Sequence, residues 1–325
     1  MIKTLFNYFL RIGISVALLW WLFTKIDMAK TGQVIKSADL KYILVAFLFF
    51  SSTYVLTYHR WKLFIKALKL DVPYREIVRY FFIGMFGNLF LPSAIGGDAI
   101  KIYGLCKYTA HKAKVVASIL LDRLSGYAGL VIVVVVAFSV GYKLVNSPGV
   151  IIPILLIVPG TIVITAVLFN EAIYEFCCRI FDRVPKIKKA LMQMHYDIAL
   201  VKDNKSAGYA AIGLSCVSHV CIAVLSFFIA KALHQDVKLI YFLIFFPLIS
   251  VVSLLPSLGG LGVREAAAVY FFGKIGIDSG IAASITLISY IFMVIVGLIG
   301  GAIYVFTLSS GRIQHPSPKP EVNSP

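Results

Sequence analysis

The sequence predicts an all-α polytopic membrane protein, with about six full transmembrane helices and two re-entrant broken helices in an inverted repeat, eight hydrophobic segments in all. Three observations carry this prediction. The chain of 325 residues is 60% hydrophobic with a mean hydropathy of +0.90, and only 14% of its residues are charged, against about 25% in a soluble domain. Its uncharged runs approach or reach the ~20 residues that a helix needs to cross a bilayer, twice the length of a barrel strand. Finally, one stretch occurs twice. The first copy runs from Asn88 through Leu91-Pro92-Ser93 to Gly96-Gly97-Asp98 and Lys101; the second runs from Ser253 through Leu255-Pro256-Ser257 to Gly259-Gly260-Leu261-Gly262, Arg264 and Glu265. Pro and paired Gly break a helix. Broken backbone in lipid is tolerated only where protein or a wet cavity covers it. Two such breaks in corresponding places mark the core of a repeat-built transporter.

Taken in order, Leu5 to Thr24 reads as an uncleaved first span anchored by Trp20-Trp21, and Lys25 to Lys41 as a short polar connection. Tyr42 to Tyr58 is the second span, followed by a basic, cytoplasmic segment with Arg60, Lys62, Lys66, Lys69, Arg75 and Arg79. Tyr80 to Gly97 is uncharged but interrupted, and offers only roughly 12 helical residues before its break, too few to cross. It reads as a re-entrant segment entering from the cytoplasm. Val115 to Gly141 then crosses outward and Val150 to Phe169 inward. Residues 170–208 form a polar, basic cytoplasmic insert. Its stripe of Ile187, Leu191, Met194, Ile198 and Val201 at helical spacing suits either the inner leaflet or the cytoplasmic ends of the spans. Tyr209 to Ala230 crosses outward. Leu239 to Val263, broken at Pro247 and Pro256, re-enters from outside, and Ser279 to Leu308 crosses inward. A disordered cytoplasmic tail, 312–325, follows a single transmembrane domain of residues 1–311. Its repeats cover about 42–140 and 209–308. Six crossings place both termini and both basic loops in the cytoplasm, and the broken segments enter from opposite faces.

The net charge of +16 belongs to those loops and not to a nucleic-acid surface. Five cysteines and six histidines show no pairing framework and no metal spacing, so no metal and no cofactor is expected. The chemistry lies at the breaks. Helix N-termini carry free N–H groups and a positive dipole end that suit phosphate or carboxylate, and glycine lets a ligand approach the backbone. Gly96-Gly97 and Gly259-Gly260-Leu261-Gly262 both precede helix starts. Charged residues within spans need partners or a wet path, which singles out Asp98, Lys101, Asp122, Arg123, Arg264 and Glu265. An arginine fork suits a phosphodiester. Asp122 and Arg123 read equally as structural ion pairs with other helices, and Asn88 as a cap or binding group or, equally, as a buried amide bridging helices. The substrate-binding set expected from the sequence is therefore Asn88, Pro92, Gly96, Gly97, Asp98, Lys101, Asp122, Arg123, Pro256, Gly259, Gly260, Gly262, Arg264 and Glu265, with no catalytic residue.

At these motifs (Asn88 to Pro92 with Gly96-Gly97; Leu121-Asp122-Arg123-Leu124; Pro256 with Gly259-Gly260-Leu261-Gly262 and Glu265) the chain resembles the transmembrane region of lysylphosphatidylglycerol synthases and their stand-alone, flippase-like relatives, over about residues 5–308. In the larger members this region is thought to move an aminoacylated phospholipid between leaflets, while a separate soluble domain makes that lipid. The chain stops at Pro325, so the resemblance implies a lipid flippase of the inner membrane and argues against a synthase. The expected ligands are an anionic or aminoacylated phospholipid or a polyprenyl-phosphate lipid. The expected protein partners are a second copy or a lipid-modifying enzyme, and no nucleic acid is expected. Two readings of other classes stand beside it: a membrane enzyme acting on lipid phosphates through Asp98, Asp122 and Glu265, and a non-transporting membrane partner of an envelope-lipid or glycosyltransferase system, docked through the basic loops.

Overall fold

A computed structural model describes residues 20, 24, 28–90, 96–145, 147–169, 205–255, 257 and 260–309. The predicted first span, most of the 170–208 insert and the tail lie outside the described residues. Within them every regular element is helical: α1 Met28–Lys36, α2 Leu40–Ala67, α3 Tyr74–Phe90, α4 Gly96–Leu105, α5 Lys112–Gly141, α6 Pro148–Phe169, α7 Lys205–Ala232, α8 Leu239–Val252, α9 Val263–Gly273 and α10 Ser279–Ser309. Four of them, α2, α5 (with the 3₁₀ turn that follows it), α7 and α10, are long and apolar enough to cross a membrane, and shorter apolar helices lie in α6 and α8. This is an integral membrane protein.

Several boundaries move from the sequence reading. The polar connection before α2 contains the nine-residue α1. More consequentially, α2 does not stop at Tyr58. Asp39 starts it by accepting the Lys41 N–H at 2.8 Å, and the helix then runs for 28 residues to Ala67. Trp61, Phe64, Ile65 and Leu68 continue its buried face at helical spacing. Arg60 therefore lies inside a span and not in a loop.

The helices α3, α4, α8 and α9 form two hairpins. In the first, α3 and α4 run antiparallel in close contact. A Cβ on Gly84 would stand 2.8 Å from the Gly97 carbonyl oxygen, and one on Gly104 would collide with the Tyr80 ring. The apolar part of α3, Tyr80 to Phe90, is only ~16 Å long at 1.5 Å per residue. The second hairpin closes by aromatic packing. Phe242 and Phe245 of α8 meet Phe272 of α9 at ring-centroid distances of 5.1 and 5.3 Å, and Phe271 stacks on Phe245 at 5.6 Å. All four rings are buried. At 14 and 11 residues, neither leg reaches the ~20 residues of a crossing.

The long helices hold these hairpins in a crossed arrangement. α2 and α7 lie antiparallel: the Asp39 N–H donates to the Ala232 carbonyl (3.0 Å), Phe49 stacks on Phe228, and Arg60 reaches Ser215 at the other end. The α3–α4 hairpin packs on α10, where Gly297 meets Leu89 and Gly300 and Gly301 meet Phe82 and Phe86. The α8–α9 hairpin packs on α5, where Gly141 meets Ile240 and Ile244. Small residues suit such seams, because helices in lipid associate by close packing and not by expelling water.

Candidate functional site

Each hairpin brings its predicted polar residues to the turn between its two helices. In the first, Asn88 sits in the last turn of α3 and its Oδ1 accepts the Gly97 N–H at 2.9 Å. Asn88 thereby satisfies one of the orphan donors at the start of α4 and bridges α3 to α4. Gly97 must be glycine here, for its Cβ would collide with Asn88 and with the Gly84 carbonyl. Asp98 follows in the first turn, where a carboxylate complements the helix dipole. It is buried and shared by two cations. Arg123 of α5 donates through Nε at 2.7 Å to Oδ2, and Lys101 through Nζ at 3.4 Å to Oδ1. The Lys101 ammonium also lies 5.2 Å from the Trp61 ring centroid and 5.3 Å from that of Phe81, so its charge is stabilised by π faces as well as by the carboxylate.

In the second hairpin, Gly260 and Gly262 have φ of +84° and +83°. Residues with a Cβ rarely adopt that left-handed region. Gly262 is the N-cap of α9, and the Glu265 carboxylate reaches back to accept its N–H at 2.6 Å. This is half a capping box, since glycine has no side chain to supply the other half. The second oxygen of Glu265 pairs with Arg264 Nη2 at 3.2 Å. Glu265 is fully enclosed, at 0% exposure. It stands behind the site and holds Arg264, whose guanidinium carbon lies 5.3 Å over the Tyr290 ring of α10.

Asp122 and Arg123, neighbours in sequence, each form an ion pair with a different helix. Arg123 joins the first hairpin, whereas Asp122 accepts a forked pair of bonds from Arg60 of α2, at 2.6 and 3.0 Å. The third Arg60 nitrogen donates to Ser215 Oγ of α7 at 3.0 Å. The structure thus adds Arg60, Ser215, Trp61 and Tyr290 to the sequence-derived set. For Arg60 and Trp61 a signal existed, because the apolar spacing resumes beyond Tyr58. Pro92, Pro256 and Gly259 lie outside the described residues.

The Gly97 and Gly262 N–H groups are taken by Asn88 and Glu265, so what the two helix starts offer an anion is their cations, Lys101 and Arg123 at the first and Arg264 at the second. That equips both hairpins to hold an anionic oxygen cluster.

Comparison with known proteins agrees with this architecture. The family described as the lysylphosphatidylglycerol synthase TM region matches residues 8–301. A UPF0104 membrane protein of Pyrococcus horikoshii is 23% identical over 309 residues, covering 85% of this chain and 89% of the relative. Another, of Methanocaldococcus jannaschii, is 23% identical over 300 residues, covering 84% and 88%. A third, of Methanothermobacter thermautotrophicus, is 22% identical over 281 residues, covering 79% and 82%. With four helices fit to span a membrane among the described residues and a family match over nearly its whole length, the chain belongs to the lysylphosphatidylglycerol synthase TM region family.

Proposed function

We propose that the protein is a lipid carrier of the inner membrane that moves a phospholipid or polyprenyl-linked lipid between leaflets, and not an enzyme. The observation that carries this reading is the pair of hairpins, each ending at a glycine-preceded helix start with a buried carboxylate and an arginine: Gly97, Asp98 and Arg123 in one, Gly262, Glu265 and Arg264 in the other. In this reading the hairpins are re-entrant segments that enter from opposite faces. α2 to α5 and α7 to α10 are then the two halves of an inverted repeat. The antiparallel α2–α7 pair supports this, as does the exchange by which each hairpin packs on the last helix of the other half. The anionic head group rests against Arg123 and Arg264 while the tails stay in lipid. Rocking of one half against the other exposes the site to alternate leaflets. Both termini face the cytoplasm, on the side of the basic segments.

The test is transport of fluorescent phosphatidylglycerol in vesicles carrying the purified protein. Wild type should exchange the label between leaflets, and Arg264→Gln and Arg123→Gln should reduce the rate by roughly tenfold or more each, the loss expected when one charged hydrogen-bonding contact is removed. Wild-type rates in both variants would sink the assignment of the site.

A further inference from the structure

The geometry points to Arg60 as a positioning residue: through Asp122 it sets the rotation of α5 that aims Arg123 at Asp98. Arg60 belongs to neither hairpin. Its side chain is 11% exposed and that of Asp122 10%, on two helices long and apolar enough to cross a membrane. Burying such a pair costs desolvation, and well-packed apolar residues often serve stability as well or better. A pair retained there, with both carboxylate oxygens and all three guanidinium nitrogens engaged, has a geometric task. A forked bond to two oxygens defines both the rotation and the height of α5. Adjacent side chains on a helix diverge by about 100°. One setting of α5 therefore sends Asp122 to α2 and Arg123 to α4.

The surface of α5 is cut to fit this seat. A Cβ on Gly126, one turn beyond Asp122, would stand 3.2 Å from Arg60 Nη1. A Cβ on Gly129 would stand 2.9 Å from the Cys216 backbone nitrogen of α7. His219 Nε2 lies 3.2 Å from the Gly126 carbonyl oxygen, and Ser215 Oγ is itself anchored to the Ala211 carbonyl at 2.8 Å. Polar contacts thus clamp α5 between α2 and α7, and the neighbouring residue reports that setting to the first hairpin.

The inference rests on the proposed head-group site for what Arg123 does there; the seating of α5 itself requires no lipid. A double-mutant cycle of Arg60→Lys and Arg123→Lys tests it. Lysine keeps the charge but cannot fork. Residues that do not share a partner normally contribute additively. The cycle is read first by melting temperature in detergent without added lipid, then by the half-saturating concentration of fluorescent phosphatidylglycerol in the vesicle assay. The expected result is strong non-additivity: the double variant melts no lower than the worse single one. All three variants should raise half-saturation to the same level, roughly tenfold above wild type. Additive shifts in melting temperature would overturn the inference. Should Arg60→Lys fail to fold, Asp122→Asn, which weakens the same fork from the α5 side, replaces it in the cycle with the same expectation. If wild type moves no labelled lipid, the head-group reading falls, and the melting cycle alone decides the positioning role.

Discussion

Replacement of Glu265 separates the two tasks its carboxylate performs. One oxygen accepts the N-cap N–H of Gly262 at 2.6 Å, the other pairs with Arg264 at 3.2 Å, and the side chain has no exposed surface. Alanine removes both. The lost cap interaction costs about 1 kcal/mol. The stranded Arg264 costs more, since breaking a buried pair from one side is worth about 3–5 kcal/mol. Glutamine keeps an oxygen for the Gly262 N–H and fills the same space, so it should be about 1–2 kcal/mol milder than alanine, the worth of one hydrogen bond and its cap. The ion-pair component dominates, because neutral hydrogen bonds between membrane helices average only about 0.6 kcal/mol. Equilibrium unfolding in mixed micelles with rising dodecyl sulfate, followed by far-ultraviolet circular dichroism, measures both variants. Glu265→Ala within about 0.5 kcal/mol of wild type, the range of an inconsequential surface change, would refute the claim that this carboxylate holds α9 and Arg264 in place.

Three further outcomes follow from the same geometry. Asn88→Ala removes the acceptor for the Gly97 N–H and should cost about 1 kcal/mol, with faster hydrogen exchange at the start of α4 as the local signature. Gly262→Ala forces a side chain into φ +83° and should cost about 1–2 kcal/mol of unfolding free energy. Gly300→Ala places a Cβ 2.8 Å from the Phe82 carbonyl carbon. Backbone cannot turn aside as a side chain can, so α3 must move off α10 at about 1–3 kcal/mol, and transport in vesicles should slow because the first hairpin is displaced.

The elements most legible in the sequence were those set by local rules. The spans of α7 and α10 follow from uncharged length, that of α5 from a long run interrupted by Asp122 and Arg123 alone, and the starts of α4 and α9 from glycine before a charged residue. The end of α2 was less legible. A basic cluster after Tyr58 resembles a cytoplasmic loop, yet those lysines ride the last turns of a helix whose other face is buried through Trp61, Phe64 and Ile65. Long basic side chains reach water from a helix end, so charge density there does not mark where the helix stops, and it misplaced the boundary. Among the candidate residues, the sequence singled out Asp122 and Arg123 together. Their division between Arg60 and Asp98 was invisible to it, since adjacent residues point to different neighbours and a sequence does not show which helices surround α5.

The sequence by itself determined the solvent and the local breaks: low charge and long apolar runs demand a membrane, and Leu-Pro-Ser followed by Gly-Gly interrupts a helix wherever it is placed. Only the tertiary structure decided the pairing of charges. Asp98 meets Arg123, Asp122 meets Arg60, and Glu265 turns back on its own N-cap. These choices depend on which helix faces lie within a few ångströms of one another, and that is fixed by packing between residues as far apart in the chain as Arg60 and Ser215.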